Sequence, residues 1–210
     1  MRDTETTLKQ LKEQIIEMCR RKGWGDDGIQ NPQHVAMAML VETMELLEHF
    51  SDMSRETESL LLEGKLPGEC IEISEEMSDV LMYSMQIMYT LGVDVSKHLF
   101  ADCSDAFTTV AELRALAGKA DRTLPVQAMQ VAVKARFVLE LFQWLNDADI
   151  HRVLTYGDAA LSAETGRAFA GMFREILKLA NMLGTDICAS IARKIAIVDK
   201  RVYPDDDPVR

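Results

Sequence analysis

An all-α fold is predicted by three observations. Apolar residues recur at helical spacing in nearly every long segment, and no segment sustains strand alternation. The third is composition: 210 residues include only 11 Gly and 5 Pro beside a Met-rich, aliphatic content. With 48% apolar and 27% charged residues the chain is ordinarily globular, long enough for one large domain or two small ones.

The elements follow in order. Leu8, Leu11, Ile15 and Met18 mark a helix from Thr4 to about Arg21, ended by Gly23-Trp24-Gly25. Asn31-Pro32 opens the next, with Asn as N-cap and Pro at the first helical position, running to about Phe50. A short helix over Arg55 to Leu62 precedes the break Leu66-Pro67-Gly68. A long helix from about Cys70 to Leu91 ends at Gly92, and Asp94 caps a further, interrupted helix towards Ala117. Thr123-Leu124-Pro125 starts a helix to about Leu145; two more span Ser162–Leu183, stopped by Gly184, and Asp186–Arg201.

A net charge of −11 disfavours a nucleic-acid polymer as partner, because phosphate backbones recruit basic surfaces. It leaves room for a single nucleotide held through a metal or a local positive site. The opening Met1-Arg2-Asp3-Thr4-Glu5 lacks signal-peptide character, and no apolar run reaches membrane-spanning length. Cys19, Cys70, Cys103 and Cys188 are scattered without a CxxC pair, which fits reduced thiols and a cytoplasmic setting.

The two halves share a register. Ala36-Met37 corresponds to Ala128-Met129, Phe50 to Phe142, and Leu91-Gly92 with Asp94 to Leu183-Gly184 with Asp186, always 92 positions apart. Shared amphipathic periodicity competes with duplication as the explanation. The copies differ where acids stand: Glu42, Glu45, Glu76 and Asp79 correspond to Lys134, Phe137, Ala168 and Gly171. Joint loss is expected of four residues that act together.

Glu42 and Glu45 lie three apart on one helix, and Glu76 and Asp79 repeat that spacing on the next long one. Two such helices packed antiparallel would gather four carboxylates, the oxygen-rich environment that Mg²⁺ shares with substrate phosphates. The first pair continues the apolar stripe of Val35, Ala38 and Met39, so it should be buried and in need of a cation. The second pair also reads as a solvated stripe through Glu72, Tyr83 and Gln86. A carboxylate-bridged di-iron bundle would need Glu-x-x-His; His34, His49, His98 and His151 all lack Glu at that spacing.

The run Pro32-Gln33-His34 through Phe50, with Glu75-Glu76-Met77-Ser78-Asp79-Val80-Leu81, resembles the MazG-like all-α NTP pyrophosphatases, which include dCTP pyrophosphatases and dimeric dUTPases. The family's ExxE and ExxD are matched at Glu42, Glu45, Glu76 and Asp79. The resemblance implies Mg²⁺-dependent hydrolysis of a nucleoside triphosphate to monophosphate and pyrophosphate, with Mn²⁺ as a substitute ion. It implies a four-helix-bundle-type pseudo-dimer: residues 1–118 as the repeat bearing the acids, 119–204 as a degenerate repeat packed on it, and 205–210 as a flexible tail. A homodimer of the whole chain is compatible with it. Substrate contacts are then expected from Trp24 and His34 for the base and from Trp144, Lys194, Lys200 and Arg201 in the second half. A core role for either Trp, and a helix C-terminal role for the basic residues, compete with this. Glu48 or Glu75 is a candidate for holding the attacking water. The departures are a slightly long segment between the acid pairs and a shifted closing stretch Lys194…Asp199-Lys200-Arg201-Val202-Tyr203-Pro204. The different-class alternative is a non-catalytic nucleotide-binding or scaffold protein of the same fold.

Overall fold

The computed structural model describes residues 1–202; Tyr203, Pro204 and the expected tail 205–210 lie outside the described residues. The described residues form ten α-helices and no strand. Four long helices make a bundle: α2 (Pro32–Ser51), α4 (Pro67–Thr90), α7 (Leu124–Glu140) and α9 (Ala159–Leu183). α2 packs on α4, α7 on α9, and α2 on α7. Around them lie α1 (Leu8–Lys22), α3 (Arg55–Leu62), α5 (Ser96–Leu99), α6 (Val110–Ala117), α8 (Asp147–Tyr156) and α10 (Ile187–Lys200).

Local chemistry explains the boundaries. Thr7 and Gln10 form a capping box at α1, and Asn31 accepts from the N–H groups of Gln33 and His34 at α2. α4 starts at Pro67, three residues before the expected Cys70, because proline's fixed φ suits the first helical turn. α8 was not expected; Asn146 caps it and Asp149 completes the box. α9 likewise begins early, at Ala159, capped by Asp158. α7 ends at Glu140, and residues 141–144 form a turn instead of carrying the helix to Leu145. The expected helix from Asp94 resolves into α5 and α6 with a loop between them.

The offset of 92 recurs in the helix starts. Pro32, Arg55 and Pro67 in the first half correspond to Leu124, Asp147 and Ala159 in the second. The two halves interlock in space. α5, which follows α4, packs on α9, whereas α10, which follows α9, packs on α4. A helix of the second half therefore reaches the side of the bundle where the first half carries its acids.

Phe142, Phe169 and Phe173 are fully buried in the core, with Met39, Met77 and Met88 filling irregular gaps. Thr43, Ser78 and Ser84 are buried too, and each hydroxyl donates to the carbonyl four residues back in its own helix. The N-terminal segment fixes α10. The Asp3 carboxylate is buried, accepts from the N–H groups of Ile187 and Cys188 at 3.2 and 2.8 Å, and pairs with Arg114. Asp186 caps the same helix through Ala189.

Candidate metal centre

The four acids come together between α2 and α4. Glu42, Glu45 and Glu76 each direct a carboxylate oxygen to within 4.8 Å of the others. Asp79, one turn beyond Glu76, is buried and forms an ion pair with Lys194 of α10. One oxygen of Glu76, Oε2, is buried without a hydrogen-bond partner. A buried, unpaired carboxylate oxygen is costly, and a cation is the simplest group to satisfy it.

The electrostatics reflect this crowding. Burial, reinforced by the charges of Asp79, Glu45 and Glu76, pushes the Glu42 carboxyl up to about 7, with Lys194 opposing. Burial also raises Glu76, again against Lys194. At Lys194 burial favours the neutral amine, but the hydrogen bond to Asp79 and the nearby acid charges outweigh it and hold the ammonium protonated. Hard carboxylate oxygens of this number and spacing fit a small divalent cation such as Mg²⁺ or Mn²⁺.

The acids form one wall of a cavity of about 280 Å³ that also includes Trp24, Met82, Tyr83, Gln86, Lys194 and Arg201. Tyr83 is shared with a second cavity of about 180 Å³, lined by Gln30, Asn31, His34 and Ala38 among others. Gln30 donates from Nε2 to Gln86 Oε1 at 2.8 Å, joining the walls of the two spaces. A larger cavity of about 560 Å³ lies elsewhere, against α1. Its charged side chains neutralise one another through Lys12–Asp105 and Lys9–Glu13, and Arg20 is engaged by Asp27 and Tyr89.

The other expected site residues divide clearly. Trp24 packs on the core and also lines the acid cavity. His34 is exposed and lines the adjoining space instead. Lys194 and Arg201 line the acid cavity. Lys22 anchors the end of α10 by donating to the carbonyls of Asp199 and Arg201 at 2.8 and 2.9 Å.

Trp144 and Lys200 lie apart from the acid cavity. Trp144 is 85% exposed and belongs to neither the core nor these cavities, because the turn after Glu140 carries it off the helix. Lys200 is exposed, one residue away from the face that carries Lys194, Val198 and Arg201. Glu48 and Glu75 line neither space, although the Glu75 charge acts on Lys194. Sequence reasoning missed Gln86 and Tyr83 as walls, having placed both on a solvated stripe; Gln86 is in fact buried. The spacing Lys194, Val198, Arg201, one helical face, was the available signal that α10 covers them.

The corresponding region of the second half carries Lys134, Phe137, Ala168 and Gly171 in place of the acids. The Lys134 stem lies 3.7 Å from where a Cβ on Gly171 would sit, and its ammonium lies 5.6 Å from the Phe137 ring centroid. Glu175 and Lys178, which correspond to Tyr83 and Gln86, form an ion pair, and Gln127 donates to Glu175. Comparisons with protein-family profiles, characterised proteins and solved structures return no match.

Proposed function

We propose that this protein is a Mg²⁺-dependent nucleoside triphosphate pyrophosphohydrolase acting in nucleotide-pool housecleaning, with a single site in the first half. The observation that carries the reading is the convergence of Glu42, Glu45 and Glu76 around the orphaned Oε2 of Glu76, beside the Asp79–Lys194 pair. Acids alone would repel a triphosphate, so a cation must mediate; Lys194 and Arg201 on the same cavity wall supply the complementary charge.

Glu42, Glu45, Glu76 and Asp79 would hold the ion. When bound, Mg²⁺ supplies Lewis-acid polarisation of phosphoryl oxygens and a more acidic bound water. The chain's own groups do the rest. Lys194, kept protonated by Asp79, stabilises negative charge that develops on the phosphates, and Arg201 adds a second positive group at the same wall. Trp24 and Tyr83 offer flat apolar surface where the acid cavity meets the neighbouring one. The amides of Gln30 and Gln86, already hydrogen-bonded to each other, are suited to reading the polar edge of a base.

The resemblance to the MazG-like enzymes and the 92-residue register support the further reading of the chain as a fused pseudo-dimer. In that reading one half keeps the acids and the other contributes Lys194 through the crossed-over α10. The test is a panel of ribo- and deoxynucleoside triphosphates assayed for pyrophosphate release with and without Mg²⁺. At least one should be turned over only with the ion, and Glu76→Gln should abolish that turnover. Failure across the panel would leave a non-catalytic binder.

A further inference from the structure

We propose that the acid site takes one divalent ion per chain, because the Lys194 ammonium stands in the place that a second ion would need. The proposal rests on the metal-dependent reading above and fixes the number of ions in it.

Sites that work with two metal ions hold them roughly 3.5–4 Å apart, so each ion needs carboxylate oxygens of its own. Here the acids divide unevenly. Glu42, Glu45 and Glu76 each bring one oxygen to within 4.8 Å of the others, a group that suits a single ion. Asp79 is the acid outside that group, and its Oδ2 is already engaged by Lys194 Nζ. That leaves Asp79 one oxygen to offer to the ion beside the three glutamates. A second ion would depend on Asp79 as well, and there it would meet an ammonium.

The ammonium is held in place. The side chains of Lys194 and Asp79 are each only 12% exposed, so the pair is not a loose surface contact. About one turn away, α10 is pinned to α4 by three hydrogen bonds. Ser190 donates its hydroxyl to Ser74 Oγ at 3.1 Å, and Arg193 Nη2 donates to Ser74 Oγ and Ser190 Oγ at 3.1 and 2.9 Å. Asp3 holds the start of the same helix and Lys22 its end. The Lys194 backbone is therefore fixed against α4, and its part-buried stem keeps the ammonium at Asp79.

Charge balance points the same way. One divalent ion, with the Lys194 ammonium and the Arg201 guanidinium on the same wall, matches the four carboxylates. A second divalent ion would bring excess positive charge into a partly buried space, next to an ammonium that repels it. The phosphates of a substrate would meet one exchangeable cation and one that belongs to the chain.

Mn²⁺ titration of the metal-free protein without nucleotide, followed by electron paramagnetic resonance, counts the ions and reports whether two lie close enough to couple their spins. The native chain should bind one Mn²⁺ that Glu76→Gln abolishes, with no spin-coupled spectrum. Lys194→Met keeps the stem and removes the charge; it should bind two ions and show the spin-coupled spectrum. Circular dichroism checks the fold, and Lys194→Gln serves as the neutral variant if Lys194→Met does not fold. A spin-coupled pair in the native chain overturns the proposal while the metal-dependent reading stands. A single ion in the folded neutral variant overturns it too, because the ammonium would then not set the number. A native chain that binds no Mn²⁺ at the acids removes both.

Discussion

Replacing Glu42 with Gln should remove much of the pH dependence of stability of the metal-free protein. In the folded chain burial and three neighbouring acids raise this carboxyl from 4.5 to about 7. Below pH 4.5 both folded and unfolded states are protonated, and Glu42 costs nothing. As pH rises, the unfolded chain releases its proton first, while the folded chain holds it until about pH 7. The folded state binds more protons across that window, so stability falls with rising pH and the full cost is present above it. Fully transmitted, the shift would amount to about 3 kcal/mol. Glu42 is only half-buried, and solvent screening reduces this to about 1–2 kcal/mol. For a chain of this size that corresponds to a Tm difference of about 3–6 °C. Thermal melts in EDTA at pH 4 and pH 8 measure it: Glu42→Gln should match the native protein at pH 4 and exceed it at pH 8. Equal melting temperatures at both values, or a native protein more stable than the variant at pH 8, would show that Glu42 carries no such cost in the folded chain.

Other perturbations separate the remaining roles. Glu45→Gln, Glu76→Gln and Asp79→Asn should each lower kcat at least about 100-fold with circular dichroism unchanged, if the four acids act as one ligand set; near-native turnover in two of them would dissolve the set. Lys194→Ala should raise KM for the triphosphate and lower kcat by about 10- to 1000-fold, as loss of a charge-stabilising donor does. Trp144→Ala should leave both constants unchanged, in line with its exposed position; steady-state kinetics on the pair compare them. Asp3→Ala should cost about 3 kcal/mol in urea unfolding, because it leaves Arg114 part-buried without its partner and two α10 N–H groups uncapped. A loss below about 0.5 kcal/mol would mean that the N-terminal segment does not hold α10 in place.

The helices were legible because their punctuation is strong. Asn31-Pro32, Gly92 and Gly184 mark ends that depend on local backbone chemistry alone, and α3 appears with its expected bounds. α8 was hidden because it is short and buries only Ile150 and Val153, although the Asn146–Asp149 capping box marked its start. The acids were legible because spacing of three puts each pair on one helical face, and the close packing of α2 and α4 brings the faces together. Which face of α4 meets solvent was not legible. That depends on α10, which arrives from the far end of the chain and turns the polar stripe of Asp79, Tyr83 and Gln86 into a cavity wall. The placement of Trp144 was not legible for a local reason: the apolar pattern runs on to Leu145, but the backbone leaves the helix after Glu140.

The proposed function requires this acid site to direct water to the α–β phosphoanhydride of a nucleoside triphosphate. Phosphorus NMR of the products formed with Mg²⁺ from the best substrate of the panel tests it most directly. The expected products are the nucleoside monophosphate and pyrophosphate in equal amounts, and none of either from Glu76→Gln. A nucleoside diphosphate with orthophosphate, or products that persist unchanged in Glu76→Gln, would contradict it.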